Sequence, residues 1–186
     1  PYELPPYNEE MMARLLFCFE NNPENQGHIS GAQDAIGICM SGLTRHYYDN
    51  RYWPEKIESV HDEVILRWLE EHLCILPMFP RRQGLSVIEG SDITVDKVRD
   101  LAAAADRCWT AIMGCDLKAF ASAFADSFSA QIAMFPAMIQ PGVGEFIEAV
   151  KKSGALAWKM LGAGGGGHLL VVLPDGAELP DRAIPV

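Results

Sequence analysis

At 186 residues, with 49% apolar and 22% charged side chains, the chain has the size and composition of a globular protein able to bury a core. A formal net charge of −10 argues against nucleic acid or an anionic membrane as the main partner. No apolar run is long enough to cross a bilayer, and five scattered cysteines without a Cys-x-x-Cys pair suggest neither a zinc ribbon nor a disulfide framework. Reduced thiols in a cytoplasmic protein are expected.

Residues 1–7, Pro-Tyr-Glu-Leu-Pro-Pro-Tyr, read as a connector with no initiator methionine, and a piece of a longer protein is expected. Asn8 is a good N-cap, followed by Glu9 and Glu10 at the positive end of a helix. Met11, Met12, Leu15, Leu16 and Phe19 recur at helical spacing until Asn21-Asn22-Pro23 stops the run. Residues 27–42 form a glycine-spaced segment whose apolar half suits a short helix or a buried strand, and 44–52 is aromatic and strand-like.

A helix is expected over 57–72, with Val60, Val64, Ile65, Trp68 and Leu69 inward. A strand follows at 73–79, where Pro77 argues for an edge or a strand end, and a second at 85–89. Thr94 caps a helix carrying Val95, Val98, Leu101, Ala102, Ala105, Trp109 and Ile112, ended by Gly114. Asp116 caps the next, with Leu117, Phe120, Phe124 and Phe128 on one stripe, closed by Pro136. After Pro141 a short helix places Val143, Phe146, Ile147 and Val150 on one face and ends at Gly154, a natural C′ position. Two strands, 155–161 and 168–173, then flank a loop. Helices grouped beside a small antiparallel sheet define an α+β fold, with joints expected near 81–84 and 89–92.

The loop is Gly162, Ala163, Gly164, Gly165, Gly166, Gly167. A tight hairpin needs about two residues, so six with five glycines ask for another reason. Glycine lets a ligand approach the backbone and lets amides turn around an anion. The plainer alternative, a floppy linker, fits poorly between two core strands. A partner for this loop is offered by Ser30-Gly31-Ala32-Gln33-Asp34, where small neighbours leave a carboxylate approachable. Asp34 there could accept or orient a hydroxyl proton for attack on phosphate, or serve as a turn former or helix cap.

Together the segments Lys159-Met160-Leu161-Gly162-Ala163-Gly164-Gly165-Gly166-Gly167-His168-Leu169-Leu170 and Ser30-Gly31-Ala32-Gln33-Asp34-Ala35 resemble the GHMP kinases, named for galactokinase, homoserine kinase, mevalonate kinase and phosphomevalonate kinase. The likeness is to the sugar-kinase branch, heptose-phosphate kinases and the L-fucokinase type above all. Asp116-Leu117-Lys118-Ala119-Phe120 and Pro141-Gly142-Val143 sit where that family's C-terminal helices lie. The resemblance runs from about residue 8 to 173. It implies the tail of an N-terminal domain over 1–74, carrying the catalytic aspartate, and a ferredoxin-like C-terminal domain over 75–186.

By that resemblance Asp34 is the catalytic residue, and Gly162 through Gly167 shape the phosphate end of the ATP site. Gly31, Gln33 and Arg81 contact substrate. ATP and Mg²⁺ are the implied cofactors, a sugar or sugar phosphate the partner, and an oligomer is allowed. The chain departs from the family at Ala35, where a second glutamine is frequent, and at His168, where an apolar residue, an aromatic or cysteine follows the glycines. The Pro-x-x-x-Gly-Leu-Gly-Ser-Ser-Ser loop that cradles ATP phosphates in the family is absent from the sequence, so Mg²⁺ ligands are expected outside this chain. The expected activity is ATP-dependent phosphorylation of a sugar hydroxyl. The alternatives are a catalytically silent sugar-binding or regulatory module, and another ATP-dependent reaction such as decarboxylation.

Arg81 is otherwise a solvent-exposed residue. His61 and His72, at eleven residues' spacing on one helix, would stand roughly 16 Å apart, too far for one ion, and read as a solvated face. His28 lines a pocket or a loop surface, and His168 donates to phosphate or stays a strand-end residue. Arg45-His46-Tyr47-Tyr48 and Tyr52-Trp53 suit a carbohydrate-facing or core-facing strand.

Overall fold

The computed structural model describes residues 8–25, 30–81 and 86–186. The connector at 1–7, His28 and most of the 81–84 joint lie outside the described residues. Contacts divide the chain into two compact units, one ending at Leu66 and one beginning at Arg67.

In the first unit Asn8 starts helix α1 (Glu9–Glu20), its Oδ1 accepting from the Met11 amide at 2.9 Å. Asn21 ends the helix and its side chain holds the next segment, accepting from the Ser30 amide at 2.9 Å. Helix α2 (Ala32–Cys39) packs on α1 through small residues, with Ala13, Ala32 and Ile36 fully buried and Phe17, Trp53 and Ile57 around them. Close approach of two short helices selects alanine as the contact, and Leu15 and Phe19 are left outside, Phe19 at 74% exposure. Strand β1 (Leu43–Tyr47) pairs antiparallel with β2 (Lys56–Val60).

The helix expected over 57–72 therefore begins later. Residues 56–60 give their backbone groups to β1, in register from Leu43 opposite Val60 to Tyr47 opposite Lys56. The Tyr47 hydroxyl adds a 2.7 Å bond to Glu58 on the partner strand. Asp62 then starts helix α3 (Glu63–His72), accepting from the Val64 and Ile65 amides at 2.9 and 3.3 Å. Val64, in the first turn, is 73% exposed rather than inward.

The second unit is built on one antiparallel sheet ordered β4-β5-β3-β6: β4 (Ala157–Met160), β5 (His168–Val172), β3 (Leu73–Pro77) and β6 (Ile184–Pro185). Strand β3 is internal rather than an edge. Pro77 is tolerated because it is the last paired residue, opposite His168, where one missing donor costs little. Residues 86–90 form a bend and turn, not the expected strand. Helix α4 (Val95–Met113), capped by Thr94, pairs with α5 (Leu117–Met134), capped by Asp116 through a 2.9 Å bond from the Ala119 amide.

The inward face of α4 is Ala104, Ala111 and Ile112, whereas Val95 is 66% exposed and Val98 also lies outside. Again small side chains make the helix contact. Phe120 and Phe128 of α5 are buried as expected. Phe128, with Val143 and Val150 of α6 (Val143–Lys152), closes the core over Cys74, Leu76, Met160, Leu169 and Val171. Gly154 follows α6 at φ +93°, as its C′ position requires.

His72 is not part of a solvated face. It is buried, with Nδ1 2.7 Å from the Trp68 carbonyl and Nε2 2.9 Å from Asp175 Oδ1. The adjacent backbone bond from the Leu173 amide to the His72 carbonyl, 2.8 Å, fastens the end of β5 to the same corner. Both ring nitrogens face acceptors, so the arrangement is satisfied by the doubly protonated ring. Burial alone lowers its pKa, but the bonds to Asp175 and Trp68, with the charges of Asp175 and Glu71, outweigh it and raise the pKa above 6.5. A raised folded pKa gives stability that is complete below about 6.5 and lost as pH rises through the folded value. Denaturant titrations from pH 5.5 to 8.5 are expected to show stability falling with pH, with the slope reduced in Asp175→Asn. A slope unchanged by that substitution would show that the contact contributes nothing.

Candidate active site

The glycine loop is a hairpin connection. β4 and β5 are antiparallel neighbours with Met160 opposite Leu169, and the Leu161 amide donates to the His168 carbonyl at 3.0 Å. The six residues between are neither extended nor free. Gly162, Gly164, Gly165, Gly166 and Gly167 all have positive φ, and Gly164, Gly165 and Gly166 are buried.

The segment that continues β3 explains this. The Met78 amide donates to the Gly167 carbonyl at 2.8 Å, and the Gly167 amide to the Phe79 carbonyl at 2.9 Å. On its other side the Gly165 amide donates to the Met138 carbonyl at 2.9 Å. A Cβ at Gly164 would stand 2.9 Å from Met138 Cβ, and one at Gly166 would stand 2.8 Å from the Phe79 carbonyl oxygen. Glycine is required at these two positions by close packing as well as by φ. The loop is folded down upon its own unit, which excludes the floppy linker.

Two of the loop amides are thus spent on structure. Among the described residues no acceptor meets the amides of Ala163, Gly164 and Gly166. Arg81 lies along the same loop: its Nε donates to the Gly164 carbonyl at 2.8 Å, and an added Cβ at Gly162 would be 3.8 Å from its Nη2. No described carboxylate pairs with this guanidinium. Its spare N–H groups and the unspent amides make a donor set without an acceptor, the chemistry an oxyanion site needs. His168 begins β5 with its side chain exposed.

Asp34 belongs to the first unit. Gly31 is the N-cap of α2, in extended conformation and with no side chain to bond the helix amides, and Asp34 follows in the first turn. Both Gln33 and Asp34 are exposed, and no described residue bonds the Asp34 carboxylate. The first turn is the positive end of the helix and suits an ionised carboxylate. Asp34 is therefore not the helix cap considered as the alternative. The structure brings Arg81 together with the glycine loop in one unit and places Gly31, Gln33 and Asp34 on one short helix start in the other.

A half-buried amine escaped the sequence reading. Lys159, on β4 three residues before the loop, donates from Nζ to Ser127 Oγ of α5 at 2.7 Å. Burial lowers its pKa, with the Cys108 thiol partly opposing, and burial pushes that thiol up to about 11. Alternation along β4 could have shown that Lys159 shares a face with Ala157, but not that the face meets α5. An ammonium with a lowered pKa is bound more weakly by the folded than by the unfolded chain, so stability rises with pH between the folded pKa and 10.5. Lys159→Met is expected to leave stability near neutral pH unchanged or higher, since a well-packed apolar group replaces a half-buried charge, and to flatten that alkaline rise. Melting curves at pH 7 and 9.5 measure both.

The fold is similar to that of several solved kinases. Residues 117–181 match the family described as GHMP kinases C terminal. The chain is similar in structure to a D-glycero-D-manno-heptose 1-phosphate kinase from Bacteriodes thetaiotaomicron, with TM-score 0.58 and 13% identity over 91% of this chain and 46% of that one. It is similar to a protein assigned as a sugar kinase from Campylobacter jejuni, with TM-score 0.60 and 18% identity over 91% of this chain and 48% of that one. The mevalonate kinase of Methanococcus jannaschii gives TM-score 0.55 and 15% identity over 93% of this chain and 50% of that one. The chain thus spans about half the length of these solved kinases. No curated protein matches it. Among the described residues no helix is long and apolar enough to cross a membrane.

Proposed function

We propose that the protein carrying this chain phosphorylates a hydroxyl of a sugar or sugar phosphate, with ATP as donor. The observation that supports this reading most is the glycine loop within the segment matching GHMP kinases C terminal, held down beside an arginine that no described carboxylate neutralises. In this reading Asp34 accepts the proton of the attacking hydroxyl or orients it, and Gly31 and Gln33 border the acceptor. The amides of Ala163, Gly164 and Gly166 donate to phosphate oxygens and hold the charge that builds up in transfer. Arg81 adds a fixed positive charge beside them.

ATP, when bound, supplies the phosphoryl group, and the unspent donors of the loop fit a phosphate. Mg²⁺ does not fit in the same way: among the described residues no three His, Cys, Asp or Glu side chains are grouped to hold a metal ion. No residue of this chain is assigned to the metal. Release of ADP, followed over fucose, galactose and heptose phosphates, tests the proposal. Turnover with one of them is expected. Sugar binding without ADP release would favour a silent binding or regulatory module.

A further inference from the structure

Arg81 bonds the loop at one place and lies close beside it at two others. Its Nε bonds the Gly164 carbonyl, its Nη2 faces Gly162, and its own backbone amide lies 3.0 Å from where a Cβ of Gly166 would stand. The loop it crosses has five glycines at positive φ, the residues with most conformational freedom to lose. Gly165 and Gly167 are tied by their amides to Met138 and Phe79, and Gly164 is tied by its carbonyl to Arg81 alone among the described residues. A lysine cannot reproduce this arrangement. It has one donor centre, whereas guanidinium can spend Nε on a carbonyl and keep both Nη groups for another acceptor.

We propose that Arg81 is the positioning residue of the glycine loop. It straps the Gly164 carbonyl inward through Nε, and its Nη groups join the amides of Ala163, Gly164 and Gly166 in receiving one tetrahedral oxyanion, a phosphoryl group. The anion part rests on the phosphate-handling reading of the loop given above. The strap does not, because it acts in the absence of any ligand.

The test uses the whole 186-residue chain, ¹⁵N-labelled, as wild type, Arg81→Lys and Arg81→Ala, with inorganic phosphate as the probe and chloride as the ionic control. Without phosphate, exchange of the Gly165 and Gly167 amides is expected to quicken by roughly three- to tenfold in both variants, the worth of one hydrogen bond. The Val171 amide, in the middle of β5, reports that the sheet is still folded. With phosphate, the wild-type amides of Ala163, Gly164 and Gly166 are expected to shift saturably, and Arg81→Lys to bind at least several-fold more weakly although its charge is kept. Unchanged exchange in Arg81→Lys overturns the strap. Absence of shifts in wild type, or equal shifts in chloride, overturns the oxyanion site. A protein that turns over sugar normally while its loop exchange ignores Arg81 sinks this inference and leaves the kinase reading standing. The reverse pattern, a responsive loop without ADP release, sinks the kinase reading and leaves the strap.

Discussion

Asp34→Asn in an active protein that carries this chain is expected to lower kcat by roughly 10²- to 10⁴-fold, the range found when a positioned proton acceptor is removed. The substitution keeps the shape of the side chain and the first turn of α2, since Gly31 rather than Asp34 caps that helix and no described residue bonds the Asp34 carboxylate. Stability should therefore stay within about 0.5 kcal/mol, as for exposed positions in general. KM for ATP should change little, because in the proposed mechanism Asp34 acts on the hydroxyl and not on the nucleotide. The separation of effects is the informative part: a large loss in kcat beside an unchanged melting curve marks a chemical role. Activity within a few-fold of wild type would remove Asp34 from the mechanism.

Gly166→Ala is expected to cost about 3 kcal/mol or more in stability, from two sources that act together. The backbone stands at φ +132°, a region that costs a residue with a Cβ of order 1–3 kcal/mol. The new Cβ would also lie 2.8 Å from the Phe79 carbonyl oxygen and 3.0 Å from the Arg81 amide nitrogen, and both are backbone atoms with little room to yield. Gly164→Ala meets Met138 instead, with Cε at 2.9 Å free to rotate away but Cβ at 2.9 Å fixed to its backbone; its φ of +73° is the milder left-handed region, so its cost should be smaller but still substantial. Chemical denaturation of the two variants orders them. If Gly166→Ala were as stable as wild type, the loop would not be pressed against the 79–81 segment.

Much of the fold was legible from local chemistry. Asn8, Thr94 and Asp116 cap the helices they were expected to cap, because an N-cap interaction is made within three residues and needs no distant partner. Gly154 ends α6 for the same local reason. The two strands around the glycine run pair as expected, since they are apolar and bounded by turn residues. What failed depended on partners. Ile57 and Val60 stand at helical spacing, and only pairing with β1 makes 56–60 a strand. Which faces of α1 and α4 are buried also depended on partners: Ala13, Ala104, Ala111 and Ile112 are inside, while Leu15, Phe19, Val95 and Val98 of the periodic sets are exposed.

At the candidate site the division is similar. Composition and spacing in the sequence determined that a glycine run sits between two core strands and that a carboxylate follows a small-residue turn, because these are properties of adjacent residues. Only tertiary structure decided that Arg81 crosses that glycine run, that Gly165 and Gly167 spend their amides on Met138 and Phe79, that His72 is held by Asp175, and that Lys159 reaches Ser127. Each of these joins residues between 27 and 103 positions apart. Such contacts are chosen by the packing of the whole unit, and no local pattern of residue types carries that information.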